Sequence, residues 1–211
     1  MNFGKLQSEV QLLMQDWSSD IASNIPGAIN EAQAYVAGEV DIPELKLVTS
    51  IDTVVNQAYA TMPVTSAGKL LYVSFGSNTE VDIVPSLTDL LIDSPGLDEE
   101  GEVECVALEG SVLWYRKIPE TATTLLILIY RKPTLLVDEK DTPSVFPEHL
   151  HRLLLVHGAC SILYEGIEDG MDENEKVNTL HHTAQQERGI QKLREWIGKN
   201  RPARTRNPYN V

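Results

Sequence analysis

Cysteine is scarce in this chain: Cys105 and Cys160 are the only two among 211 residues. One sits in a strand-like apolar run and the other in a helix-like one, which suits reduced, buried thiols and sets aside a disulfide-stapled secreted scaffold. No run approaches eighteen apolar residues, and residues 1–20 lack a lysine-rich start leading into an apolar stretch, so neither a membrane span nor a signal peptide is expected. Positive charge is short too. Seventeen Lys and Arg stand against 31 Asp and Glu, a formal −14, which argues against a protein that wraps nucleic acid and keeps the chain soluble. GxSxG, P-loop, GxGxxG and CxxC patterns are all missing. The five histidines, His149, His151, His157, His181 and His182, form no HxxxH or HExxH pair of the kind zinc needs. No catalytic residue, metal or cofactor is therefore expected.

The most informative stretch runs from Phe146 to Ile197 and reads as a helix, an acidic turn and a second helix. Pro147 suits a first turn, where its missing N–H would be unpaired anyway, and Glu148 suits the positive end of the helix dipole. Leu150, Leu153, Leu154, His157, Cys160 and Ile167 recur at helical spacing, and Leu155, Val156, Ala159, Ile162 and Leu163 widen the apolar surface over most of the helix. Arg152 and Glu165 argue against a membrane span. Asp169-Gly170 closes the helix, and Asp172 followed by Glu175 resembles a capping box for the next. On that next helix Val177, Leu180 and Ala184 mark one face, whereas Ile190, Leu193 and Ile197 fall nearly opposite. Either the helix bends near Gly189 or its halves bury against different neighbours, among which another copy of the chain is one candidate.

Upstream, Leu6, Val10, Leu13, Met14 and Trp17 predict a helix over 5–17. Asn24-Ile25-Pro26 opens a second, with Ile29, Ala32, Gln33 and Val36 buried until Gly38. From Leu45 the pattern changes to β-branched and aromatic runs, giving up to seven strands by Lys132. Ser86 to Ser94 interrupts them with a short helix capped by Ser86 and Asp89, and Glu109 to Val112 is a tight hairpin turn. The expected fold is α+β: a helical bundle of N-terminal short helices (1–44) and a long C-terminal helical hairpin (146–198), with an inserted small antiparallel β subdomain (45–132). A linker (133–145) returns the chain, and an extended basic arm (199–211) follows. Residues 1–44 and 146–198 fold back on each other because neither helix pair alone covers its apolar faces. Lys199, Arg201, Arg204 and Arg206 give the arm +4, leaving −18 on residues 1–198. Such an arm orders on a protein partner more economically than on DNA, which the acidic body repels.

Two carboxylate groups stand out: Asp98, Glu99, Glu100, Glu102 with Glu104, and Glu168, Asp169, Asp172, Glu173 with Glu175. The second lacks the alternating oxygens and sixth-position glycine of a calcium loop and reads as a solvated turn, and the first reads as an exposed hairpin tip. Trp114, Tyr115 and Tyr130 lie in strand patterns and read as sheet packing. A metal-binding module or enzyme built on His149, His157 and the 168–175 acids is the alternative from a different class.

Three stretches then resemble one family. Ala28 to Leu45 (AINEAQAYVAGEVDIPEL), the YRKP step from Tyr130 to Pro133, and FPEHLHRLLLVHGAC with YEGIEDG and KVNTLHH between Phe146 and His182 resemble the head-to-tail adaptor or connector proteins of tailed bacteriophages. The resemblance implies a structural virion protein made in the host bacterial cytoplasm and placed in the neck between capsid and tail. It would form a ring, commonly of twelve copies, beneath the portal protein, with tail or nozzle proteins below and DNA passing transiently and non-specifically. No membrane is involved. On this reading Lys199, Arg201, Arg204, Arg206 and Tyr209 form the portal-docking arm, and Ile190, Leu193, Trp196 and Ile197 lie at the ring interface. Asp98, Glu99, Glu100, Glu102, Asp169, Asp172 and Glu173 are channel-lining candidates. A tail-side neck or completion protein is the alternative within the same class.

Overall fold

The computed structural model describes residues 1–15, 19–64, 67–76, 79–172 and 175–200. Among them, five helices and two small sheets make a mixed α and β protein, as the change of pattern at Leu45 predicts. Contacts divide the chain into two compact units, Met1–Ile42 with Thr134–Val211, and Pro43–Pro133.

In the first unit, α1 (Phe3–Met14) is capped by Asn2, whose side chain accepts the Lys5 N–H at 3.0 Å, and it buries Phe3, Leu6, Val10 and Met14. Leu13 is half-buried, and Trp17 lies outside the described residues. Helix α2 (Ser19–Glu39) begins five residues before the expected start and carries Pro26 in its interior. Pro26 removes one hydrogen bond, but the carbonyl that loses it belongs to Ala22, an exposed residue that water can serve. Ile29, Ala32, Gln33 and Val36 are buried, matching the predicted face.

The returning segment is fastened to these helices. Asn30 Nδ2 donates to the Leu136 carbonyl and Asn30 Oδ1 accepts the Leu136 N–H, at 3.0 and 2.8 Å. Buried Gln33 donates to the Thr134 carbonyl at 2.8 Å. The N–H groups of Phe3 and Gly4 donate to the carbonyls of Asp141 and Glu139.

The long apolar helix is not uniform. Pro147 stands before a 3-10 turn (Glu148–Leu150), a π-helical turn follows (Arg152–Val156), and only then does α4 (His157–Ile167) run as a regular helix. The last helix, α5 (Val177–Asn200), is continuous through Gly189. Asp172 does not cap it: Asp172 contributes its carbonyl to Glu175 N–H, and the helix starts two residues later.

The second unit holds β1 (Lys46–Asp52), β2 (Tyr59–Thr61), β3 (Ala67–Phe75), β4 (Asp82–Ile83), α3 (Leu87–Asp93), β5 (Cys105–Glu109), β6 (Val112–Tyr115) and β7 (Thr124–Arg131). They form two sheets, ordered β1-β7-β3 and β2-β6-β5-β4. The expectation of a purely antiparallel subdomain is corrected by β4 and β5, which pair in parallel. The intervening α3 supplies the crossover that parallel pairing requires. Ser86 caps α3, accepting the Asp89 N–H and donating to the Asp89 carboxylate. The predicted hairpin turn closes with Gly110 at φ 61° and Glu109 opposite Val112. The core gathers Val73, Val106, Leu113, Tyr115, Leu125, Ile127 and Ile129. Tyr115 hydroxyl accepts the Val54 N–H and donates to the Tyr59 carbonyl, each at 3.1 Å, so its ring is sheet packing with a satisfied polar end.

Candidate partner-docking surfaces

The seam between α4 and α5 is polar where sequence periodicity expects apolar side chains. On α5 the buried residues are His182, Gln186, Gly189, Ile190, Leu193 and Ile197, one continuous stripe at helical spacing. Its first half is therefore His182 and Gln186, while Val177 and Leu180, the apparent apolar face, are 64% and 58% exposed. Gln186 donates to the Leu154 carbonyl at 3.3 Å, inside the π-helical turn. Two glycines let the helices approach. A Cβ on Gly158 would lie 2.8 Å from the Ala32 Cβ and run into the Gln186 amide; one on Gly189 would lie 2.9 Å from the Leu153 Cβ.

His157 Nδ1 and His182 Nδ1 stand 2.9 Å apart. One neutral ring donates and the other accepts, an arrangement that two imidazolium ions cannot make. Tyr164 stacks on His182 at 5.4 Å between ring centroids. Burial pushes His182 down to about 4, helped by His157 and His181 and opposed by Glu168. His157 is lowered by burial and by Arg152 and His181. Beyond them, the Ser161 and Thr183 hydroxyls meet at 2.6 Å.

Glu168 does the capping that Asp172 does not. Its Oε1 accepts from the N–H and side-chain amide of Asn178, and its Oε2 from the N–H and hydroxyl of Thr179, between 2.7 and 3.2 Å. These bonds, that of the Thr179 hydroxyl foremost, hold the carboxyl below the usual carboxylate range. The sequence shows Glu168 only as one acid in an acidic run, because a cap supplied ten residues upstream matches no local motif. The same clamp fixes the turn, which projects Asp169, Asp172 and Glu175 as exposed residues, with Met171 and Ile167 about half-exposed beside them.

At the other end of α5, Trp196 is half-buried against a cleft of about 260 Å³ floored by Leu150 and Leu153. His149, Lys192, Glu195 and Lys199 rim it. Of the ring-interface candidates, Ile190, Leu193 and Ile197 are buried inside this unit, and Trp196 alone reaches a surface. Of the arm candidates, Lys199 belongs to α5, and Arg201, Arg204, Arg206 and Tyr209 lie outside the described residues, as does Glu173.

In the second unit Asp98, Glu99, Glu100, Glu102 and Glu104 are all exposed. Lys117 pairs with Glu104, and with Glu99 at 3.7 Å, while Arg116 lies 3.7 Å from Glu104. The stretch is not a hairpin tip, since Glu100 bridges to Ile118 in parallel. Among the described residues no group of three or more His, Cys, Asp or Glu side chains converges as a metal site, and no helix is long and apolar enough to cross a membrane. Cys160 is buried and Cys105 partly exposed, and neither is in a disulfide.

No curated protein matches the chain. A family model described as SU10 adaptor protein matches residues 1–211.

Proposed function

Because this chain belongs to the SU10 adaptor protein family and is a phage structural adaptor, we propose that it builds a ring beneath the portal. The ring, of about a dozen copies, joins capsid to tail in the neck of the virion and leaves a channel for viral DNA. The observation that carries this reading is the extent of the family match, which spans both compact units and the basic tail.

Charge supports it. At −14 per chain, a ring presents DNA with a wall of like sign, past which a duplex slides rather than sticks. Asp98, Glu100 and Glu102, which have no ion-pair partner among the described residues, suit the lumen better than Glu99 and Glu104, which Lys117 and Arg116 partly neutralise. Asp169, Asp172 and Glu173 are the weaker candidates for the lumen, since the turn that carries them also suits a contact between copies. The basic segment that follows α5, with Arg201, Arg204, Arg206 and Tyr209, reaches the portal, and tail or nozzle proteins bind the opposite side.

The test is sedimentation of the purified chain, alone and mixed with the portal protein of the same phage. Co-sedimentation at a fixed ratio is expected and gives the copy number. A chain that stays at its own monomer mass in the mixture overturns the portal-adaptor assignment.

A further inference from the structure

We infer that the cleft at the C-terminal end of α5 receives the acidic turn of a neighbouring copy, so that adjacent chains join head to tail along their α4–α5 pairs. The inference rests on the ring reading and names the surfaces that would make the ring.

The two surfaces are complementary in both charge and apolar character. The cleft offers an aromatic face, Trp196, and an apolar floor, Leu150 and Leu153, under a rim where Lys192 and Lys199 outweigh the single acid Glu195. Neither lysine has an ion-pair partner among the described residues. The turn offers the exposed carboxylates Asp169 and Asp172 with Met171 between them and exposed Val177 and Leu180 behind. A buried apolar centre with a charged rim is the usual anatomy of a protein interface, and Trp and Met are favoured in its core. The helix dipole by itself accounts for acids near the start of α5 and a lysine at its end. It does not account for an apolar stripe left in water on the same half of the helix.

The occupant must come from another copy. Val177 and Trp196 sit on one unbroken helix, nineteen residues or roughly 28 Å apart at 1.5 Å per residue. A chain's own turn therefore cannot fold into its own cleft. Glu168 ties the end of α4 to Asn178 and Thr179 at the start of α5, so these flanks need little ordering at association. Two different surfaces meeting in this way form a heterologous contact, which closes into a ring when the rotation between copies allows.

The experiment uses two full-length variants, Lys192→Glu/Lys199→Glu and Asp169→Lys/Asp172→Lys. In each, like charges face each other in every self-contact. Wild type should self-associate in sedimentation velocity, more weakly at high salt. Each variant alone should lose about tenfold or more in association. An equimolar mixture should recover assembly, because every contact between unlike variants pairs opposite charges, and that recovery also shows that both variants are folded. A wild-type chain that remains monomeric at all concentrations, or a mixture no better than its components, overturns the contact. Failure of the ring reading is separate: if the variants still co-sediment with portal at the wild-type ratio, the adaptor assignment stands and only this contact is lost.

Discussion

Single residues decide how the seam of the first unit behaves. His157 and His182 share a hydrogen bond that is lost once both rings are protonated, and burial holds His182 near 4 against 6.5 for a free histidine. Between those values the unfolded chain binds a proton that the folded chain refuses, so the unfolded state gains as pH falls. The stability is complete above pH 6.5 and is lost on the way down through 4, at a slope of about 1.4 kcal/mol per pH unit for each such proton. Urea unfolding at stepped pH should show this loss in wild type, and a shallower loss in His182→Gln, whose amide keeps a bond to His157 without titrating. Equal slopes in the two proteins would mean that His182 does not carry the effect. Spacing in the sequence could not reveal this pair, because its members lie 25 residues apart on different helices. Cys160 was easier to read: its apolar context signals burial, and burial pushes the thiol up to about 12.

Elements were legible where local chemistry chooses them. Ser86 and Asp89 announce the start of α3, and Gly110 marks the β5–β6 turn, because caps and tight turns are decided within four residues. Two features of the helices were not legible. The start of α2 runs past Pro26 because the orphaned carbonyl faces water, and the π-helical turn before α4 coincides with the close approach of α5 at Gly158 and Gly189. That approach can be tested. Gly158→Ala places a methyl against the Ala32 Cβ and the Gln186 amide, neither able to yield without cost, and should destabilise by about 1–3 kcal/mol in denaturant unfolding. Gly166→Ala on the same helix meets nothing within 4 Å and should be neutral or slightly stabilising. Comparable losses in both would assign the effect to backbone conformation rather than to packing.

At the scale of the whole molecule, an acidic body carries a basic tail, and the proposed docking role of the tail can be tested apart from the fold. Removing residues 201–211 takes away Arg201, Arg204 and Arg206 but leaves α5 complete to Asn200. The truncated chain should keep the circular dichroism and self-association of wild type while losing co-sedimentation with portal. Retained portal binding would move the docking role off the tail. Under the proposed docking role, wild-type binding to portal should also weaken as salt rises, because salt screens the attraction of the tail's cations.

Composition and periodicity determined the α+β class, most strand positions and the acidic character, because these follow from local propensity and from summed charge. The resemblance to phage adaptors lay in particular stretches, Ala28 to Leu45, Tyr130 to Pro133 and Phe146 to His182, and the family match agrees with it. Which face of α5 is inside was decided only in three dimensions. Periodicity favours Val177, Leu180 and Ala184, but His157 and the Leu154 carbonyl supply hydrogen bonds that bury His182 and Gln186 in their place. A buried polar side chain is stable only with its partner, and the partner is fixed by packing between helices rather than by neighbours in sequence.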